Sequence, residues 1–229
     1  MLREGTVEAL DDFAHMDDPR ALNCASAVLA NLTVPNDLHD LRLQILETGI
    51  ITDVILPLHS KGSALPDIGR KALAITMYRL TTLEDKVMSI YGQCGDAMVS
   101  LLKSEDEETR MCAAASLVNV TGAMVAQKAS AGEHMMVGGD DRQRIVEQVM
   151  PFLKDLVNSK KSHVRIGLAR AFKNFSLYEN ARVPMVEAGV CESLLKLVSY
   201  KELDEYRIDV ITTIANLTNV VDGRERMIR

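Results

Sequence analysis

Apolar positions recur along this chain in two superposed rhythms, and the shorter one is helical. In five segments an Asn or Arg (Asn31, Arg79, Asn119, Asn174, Asn216) has an apolar residue two positions back: Leu29, Met77, Leu117, Phe172, Ile214. Another stands six back (Ala25, Leu73, Ala113, Leu168, Val210), and a third follows directly (Leu32, Leu80, Val120, Phe175, Leu217). Offsets of four and three place these side chains on one stripe of an α-helix, so each segment predicts a helix buried along that stripe. Ala74, Ala114 and Ala169, five residues before the Asn or Arg, leave room for a neighbouring helix to approach closely.

The longer rhythm is repetition of the segment itself. Asn31-Leu32-Thr33 is printed again as Arg79-Leu80-Thr81, Asn119-Val120-Thr121, Asn174-Phe175-Ser176 and Asn216-Leu217-Thr218. Eleven residues further on an apolar residue opens a second motif: Ile90, Met185 and Met227. The offset stretches to fourteen at Ile45 and twenty-six at Ile145. Counting Met1, the openers fall at 1, 45, 90, 145, 185 and 227, with spacings of 44, 45, 55, 40 and 42. A Gly follows most openers (Gly5, Gly49, Gly95, Gly189), whereas the fourth copy has Val149 or Met150 there. Gly between a short helix and a longer one permits the sharp turn or positive φ that other residues resist. Each copy therefore reads as short helix, Gly turn, second helix, polar loop, third helix.

A helical period of about 40–47 residues marks an armadillo or HEAT array. The run Met185-Val186-Glu187-Ala188-Gly189-Val190, continued by Leu194-Leu195 and Leu197-Val198-Ser199 and later by Ala215-Asn216-Leu217-Thr218, closely resembles the armadillo repeat. The resemblance covers the whole chain in five copies. HEAT repeats, usually of two helices and without this Gly and Asn pairing, are the alternative. An armadillo-like chain implies an all-α, right-handed solenoid over 1–229, with units at about 1–44, 45–89, 90–144, 145–184 and 185–226 and a sixth beginning at 227–229. It also implies a concave groove lined by the third helices, where Asn amides donate to and accept from the backbone of an extended peptide. Carried over, that partner-binding ladder is Asn31, Arg79, Asn119, Asn174 and Asn216, with Arg79 replacing one amide. The competing reading has the same amides satisfying groups inside the solenoid. Nuclear-import adaptors of this family place a Trp four residues before the Asn, forming slots for lysine side chains. This chain has Ala27, Ile75, Ala115, Arg170 and Thr212 there, which argues against a basic cargo peptide.

Two stretches break the period. The Gly-rich insertion at about 126–142, with Gly132, Gly138 and Gly139, predicts a projecting loop. The stretch His59 to Asp67 predicts an extended loop, with Pro57 curtailing the helix before it. The four Asn-x-Thr/Ser sequons are one helical position repeated, so they read as structure rather than as glycosylation sites.

Composition narrows the function. Aromatics are 4% with no Trp, while hydrophobic residues make up 47%, suiting thin, closely stacked helices. Cys24, Cys94, Cys112 and Cys191 stand at unrelated spacings, supporting neither a zinc site nor a disulfide framework. His15, His39, His59, His134 and His163 are scattered without a nucleophile or carboxylate at catalytic spacing, so no enzyme, cofactor or small-molecule substrate is expected. No apolar run approaches the ~20 residues of a membrane span, and the acidic start has no apolar signal core. A cytoplasmic protein or soluble assembly subunit is the expectation.

Charge is uneven around its net −6. The fourth copy gathers Lys160, Lys161, Arg165, Arg170 and Lys173 before or on its third helix. A positive patch in an acidic protein can steer and select an acidic segment. One short patch without interleaved aromatics is a poor nucleic-acid footprint. The expected function is a non-catalytic scaffold or adaptor holding an extended or helical partner segment in the groove, with an acidic preference at the fourth copy. The alternative is a structural subunit of a large cytoskeletal or ciliary complex, docked through open ends and the convex face. It is suggested by a chain that starts and stops in register without polar end caps.

Overall fold

The computed structural model describes residues 5–34, 39–131, 139–201 and 203–228, and every regular element among them is helical. The opener Met1 and residues 132–138 of the Gly-rich insertion lie outside the described residues. The chain divides into two compact halves, 1–120 and 121–229. The N-terminal half holds α1 (Thr6–His15), α2 (Pro19–Leu32), α3 (His39–Glu47), α4 (Leu56–Ser60), α5 (Asp67–Leu80) and α6 (Val87–Leu101). The division falls inside α7 (Glu107–Ala131). The C-terminal half continues with α8 (Gly139–Leu153), α9 (Ser162–Ser176), α10 (Glu179–Glu187), α11 (Val190–Val198), α12 (Leu203–Leu217) and α13 (Val221–Ile228).

The Asn- or Arg-bearing segments are the third helices α2, α5, α7, α9 and α12. In the N-terminal half α2 packs along α5, and in the C-terminal half α9 packs along α12. The stripe predicted from the sequence is the core: Ala25, Leu73, Ala113, Leu168 and Val210 are buried, as are Leu29, Met77, Leu117 and Phe172. Ser26, Ala74, Ala114 and Ala169, five positions before the Asn or Arg, are buried too, which gives the small residues their close helix approach. Helix starts are fixed locally. Asp18 accepts from the Arg20 N–H at 3.0 Å ahead of Pro19, whose missing N–H costs nothing in a first turn. Asp106 accepts from both the backbone N–H and the hydroxyl of Thr109 at 2.7 Å, opening α7.

The Gly turns appear between consecutive helices, but the expected short-then-longer order does not hold at Gly189, where α10 and α11 both have nine residues. Gly49 and Gly189 have φ of 80° and 87°, a region that a Cβ disfavours. The third copy differs. There α6 is two helical stretches joined by a kink at Cys94, where the backbone leaves the helical region (φ −130°, ψ 21°). Gly95 is needed for space instead, because a Cβ would come 2.7 Å from the Tyr91 ring.

Three other expectations are corrected. Pro57 does not curtail its helix: a π-helical stretch, Ile51–Ile55, leads into α4, which carries Pro57 in its first turn and runs to Ser60. A wider turn ahead of the ring accommodates a residue with no N–H to donate. Gly62–Ala64 then forms a 3-10 turn in place of an extended loop. The Gly-rich insertion is helical at both margins, since α7 continues to Ala131 and α8 starts at Gly139. The run Ala126-Gln127-Lys128-Ala129 consists of good helix formers, and their local preference outweighs the lost apolar period.

Candidate functional site

At two junctions the third helices meet through a hydrogen-bond relay that uses the Thr or Ser two residues after the Asn or Arg. The Thr81 hydroxyl donates to the Tyr78 carbonyl at 2.8 Å, which leaves its oxygen to accept from the Asn119 Nδ2 of the next copy at 3.1 Å. Ser176 repeats the arrangement, donating to the Lys173 carbonyl at 2.8 Å and accepting from Asn216 Nδ2 at 3.0 Å. Thr33, Thr81, Thr121 and Ser176 are all buried. The unusual rung follows the same logic with a longer arm. Arg79 reaches past the Thr33 hydroxyl and donates to the Ala30 carbonyl, the acceptor that Thr33 itself bonds at 3.0 Å. Asn119 and Asn216 thus each commit one N–H to the preceding copy, and a second N–H and the oxygen lie beyond that bond. Asn174 is half-buried at the corresponding place on α9, and Asn31 on α2 is exposed.

The basic cluster separates into distinct environments. Lys160 and Arg170 are exposed, and Lys161 is half-buried. Lys173 Nζ lies 2.5 Å from Asp209 Oδ1, and Arg170 Nε lies 3.8 Å from Asp209 Oδ2. One nearly buried carboxylate, 9% exposed, therefore sits between two cations and leaves that place with one positive charge in excess. Arg165 does not join an exposed patch. It is 6% exposed, stacks 4.3 Å from the centroid of Tyr200 and donates to the Ser159 carbonyl. Its guanidinium is a packing piece of the C-terminal half.

Asp209 was not singled out by sequence reasoning, although a signal existed. It stands seven residues before Asn216, in the column that holds Cys24, Ala72, Cys112 and Gly167 in the other copies. An acid in a column of small side chains points to a cation on the neighbouring copy. A second cross-copy pair was also missed: Lys71 of α5 with Glu108 of α7. The Glu108 hydrogen bond holds the Lys71 ammonium above its ordinary range despite partial desolvation.

The position four residues before the Asn or Arg, which carries Trp in import adaptors, is not sealed in any of the five copies: Ala27 and Arg170 are exposed, and Ile75, Ala115 and Thr212 are half-buried. His15, expected without a carboxylate partner, in fact lies 3.0 Å from Asp11 Oδ1 one turn back on α1, an exposed pair with no nucleophile beside it. Among the described residues no group of three or more His, Cys, Asp or Glu is arranged to hold a metal ion, and no helix is long and apolar enough to cross a membrane. Burial pushes the Cys94 thiol up to about 12 and, with Glu108 nearby, the Cys112 thiol up to about 11. Neither is a nucleophile at neutral pH.

No family model matches the sequence, and no curated protein does. Solved structures do. Computationally designed armadillo repeat proteins for modular peptide recognition match with a TM-score of 0.73 at 16% identity, over 95% of this chain and 85% of that one. A designed armadillo repeat protein in complex with the peptide (KR)4 matches with a TM-score of 0.71 at 15% identity, over 97% and 86%. An engineered protein gives 0.69 at 19% identity, over 97% and 86%. Likeness at this identity concerns the fold: the chain has the all-α fold of armadillo repeat proteins.

Proposed function

We propose that this chain is a non-catalytic protein-binding scaffold, one array of five copies over 1–229, that holds an extended or helical partner segment along its third helices. The observation that carries the reading is the unsealed column four residues before the Asn, with Arg170 as its charged member. The amides of Asn119 and Asn216 retain bonding capacity beyond their cross-copy bonds and can meet a peptide backbone. Asn31, Arg79 and Asn174 complete the ladder, although Arg79 is the rung most committed to its neighbour. One of the similar designed proteins is described with an alternating Lys-Arg peptide. Here the fourth copy sets Arg170 and Lys173 against the single carboxylate of Asp209, with Lys160 and Lys161 in the same copy, a balance that favours an acidic segment. The compartment that fits is the cytoplasm.

The test is fluorescence anisotropy with an alternating Asp-Glu peptide and an alternating Lys-Arg peptide of equal length. The acidic peptide should bind more tightly, weaken with added salt and lose roughly tenfold or more in affinity with the double variant Arg170→Glu, Lys173→Glu. Equal binding of both peptides, or no effect of the reversal, would sink the acidic preference. A second reading, a structural subunit docked through its ends, is favoured by one observation: Ile208 and Ile211 of α12 are 78% and 58% exposed.

A further inference from the structure

The junctions between third helices follow one template. The earlier copy contributes the residues eight, five and one before its Asn or Arg and the hydroxyl two after it. In α2, which packs along α5, these are Asn23, Ser26, Ala30 and Thr33, all buried or half-buried. The later copy contributes the residues seven and three before its Asn or Arg, and that residue itself. In α5 they are Ala72, Thr76 and Arg79, and in α12 Asp209, Thr213 and Asn216, again buried or half-buried.

Both halves of this template also stand open. On α12 the earlier-copy half is uncovered: Ile208 is 78% exposed and Ile211 58%, whereas the equivalents of Ile211 in the other copies are buried. The Thr218 hydroxyl donates to the Ala215 carbonyl at 2.9 Å. Its oxygen is left poised as an acceptor, like those of Thr81 and Ser176. Leu195 and Val198 of α11 are 50% and 44% exposed, while Ile55 and Leu58, at the same distances past the turn Gly in the second copy, are 0% exposed. On α2 the later-copy half is uncovered. Val28 is 42% exposed, and its equivalents Thr76, Ser116, Ala171 and Thr213 are at most 1% exposed. Cys24 and Asn31 beside it are exposed as well.

We propose that the open face of α12 receives α2 of a second copy of this chain, repeating between molecules the junction made within them. Val28 and Cys24 lie against Ile211 and Ile208, and the Asn31 amide donates to Thr218 Oγ1. The template specifies the occupant: a helix with modest side chains three and seven residues before a donor amide, which α2 supplies and an extended peptide does not. Val28 and Ile211 are bulkier than Thr76 and Ser26, so the two helices stand farther apart than α2 and α5 and remove more apolar surface from water. Such an interface is heterologous, since each molecule offers two different faces. Association therefore continues past the dimer or closes into a ring.

Sedimentation of the 229-residue chain over a concentration series tests this, with circular dichroism to verify that each variant is folded. The substituted side chains are exposed, so folding should survive. The mass should climb from 25.3 kDa to at least twofold higher as concentration rises. Val28→Asp alone and Ile211→Asp alone should each remain monomeric. An equimolar mixture of the two should stop at twice the monomer mass, because each variant retains the face the other has lost. A wild-type chain that stays monomeric throughout overturns the proposal. So does self-association by either single variant, or a mixture that fails to pair.

Discussion

Thr81 and Ser176 each act twice, giving a hydrogen to their own helix and taking one from the following copy. This is why the third position of the motif is a hydroxyl rather than another aliphatic: a Val there would fill the space but leave the next amide with no acceptor. Two titratable side chains carry predictions at the same scale. Cys24 is exposed while Cys94, Cys112 and Cys191 are buried with thiols pushed upward. A disulfide reagent at neutral pH should label one of the four thiols in the native chain and all four in denaturant. Rapid labelling of a second native thiol would mean that the core around one of those three opens readily. Burial holds the His59 imidazole below its ordinary range, so the neutral ring is the folded form. The unfolded chain gains a proton near pH 6.5 that the folded chain takes up only at lower pH, so stability is lost as pH falls through about 6.5. The urea midpoint should drop between about pH 7.5 and 5.5, and His59→Gln should flatten the drop. Identical slopes for both chains would remove His59 as its source.

Among the elements, one pair of substitutions distinguishes a Gly turn from a glycine inside a helix. Gly189 stands at φ 87°, so Gly189→Ala should cost about 1–2 kcal/mol in urea unfolding. Gly92 lies within α6 with nothing near its missing Cβ, so Gly92→Ala should be neutral or stabilise by up to about 1 kcal/mol. If Gly189→Ala proves the milder change, the left-handed turn is not what fixes the α10–α11 connection. Much of the element plan was legible: the apolar stripe of each third helix became core because its period records which face is covered. Its ends show the same rule, since Ile214 is only half-buried on the uncovered last third helix. What stayed hidden depends on partners distant in sequence. The Asn119–Thr81 and Lys173–Asp209 contacts span 38 and 36 residues, and neither motif names its mate. The kink at Cys94 and the π-helical stretch at Ile51–Ile55 arise from backbone accommodation that side-chain periodicity does not register.

In a repeat array, where copies contact chiefly their neighbours, stability is close to a sum of local terms. Asn119→Ala and Asn216→Ala each remove one cross-copy bond and should cost about 1 kcal/mol. The two bonds have no atom or partner in common, so the double variant should lose the sum within about 0.5 kcal/mol. A clear departure from additivity in urea titrations would show coupling that a nearest-neighbour array lacks. The relay also has a direction, because the amides of Asn119 and Asn216 give to the copy before and the hydroxyls of Thr81 and Ser176 accept from the copy after. At both junctions the acceptor is the hydroxyl two residues after one Asn or Arg and the donor is the next Asn amide. A recombination that deletes or duplicates one whole period therefore returns such an amide to an equivalent acceptor, whereas one that removes part of a period strands both. Length in such a lineage should drift in whole steps, and Arg79 marks how far a single rung can wander while still finding something on the preceding copy to hold.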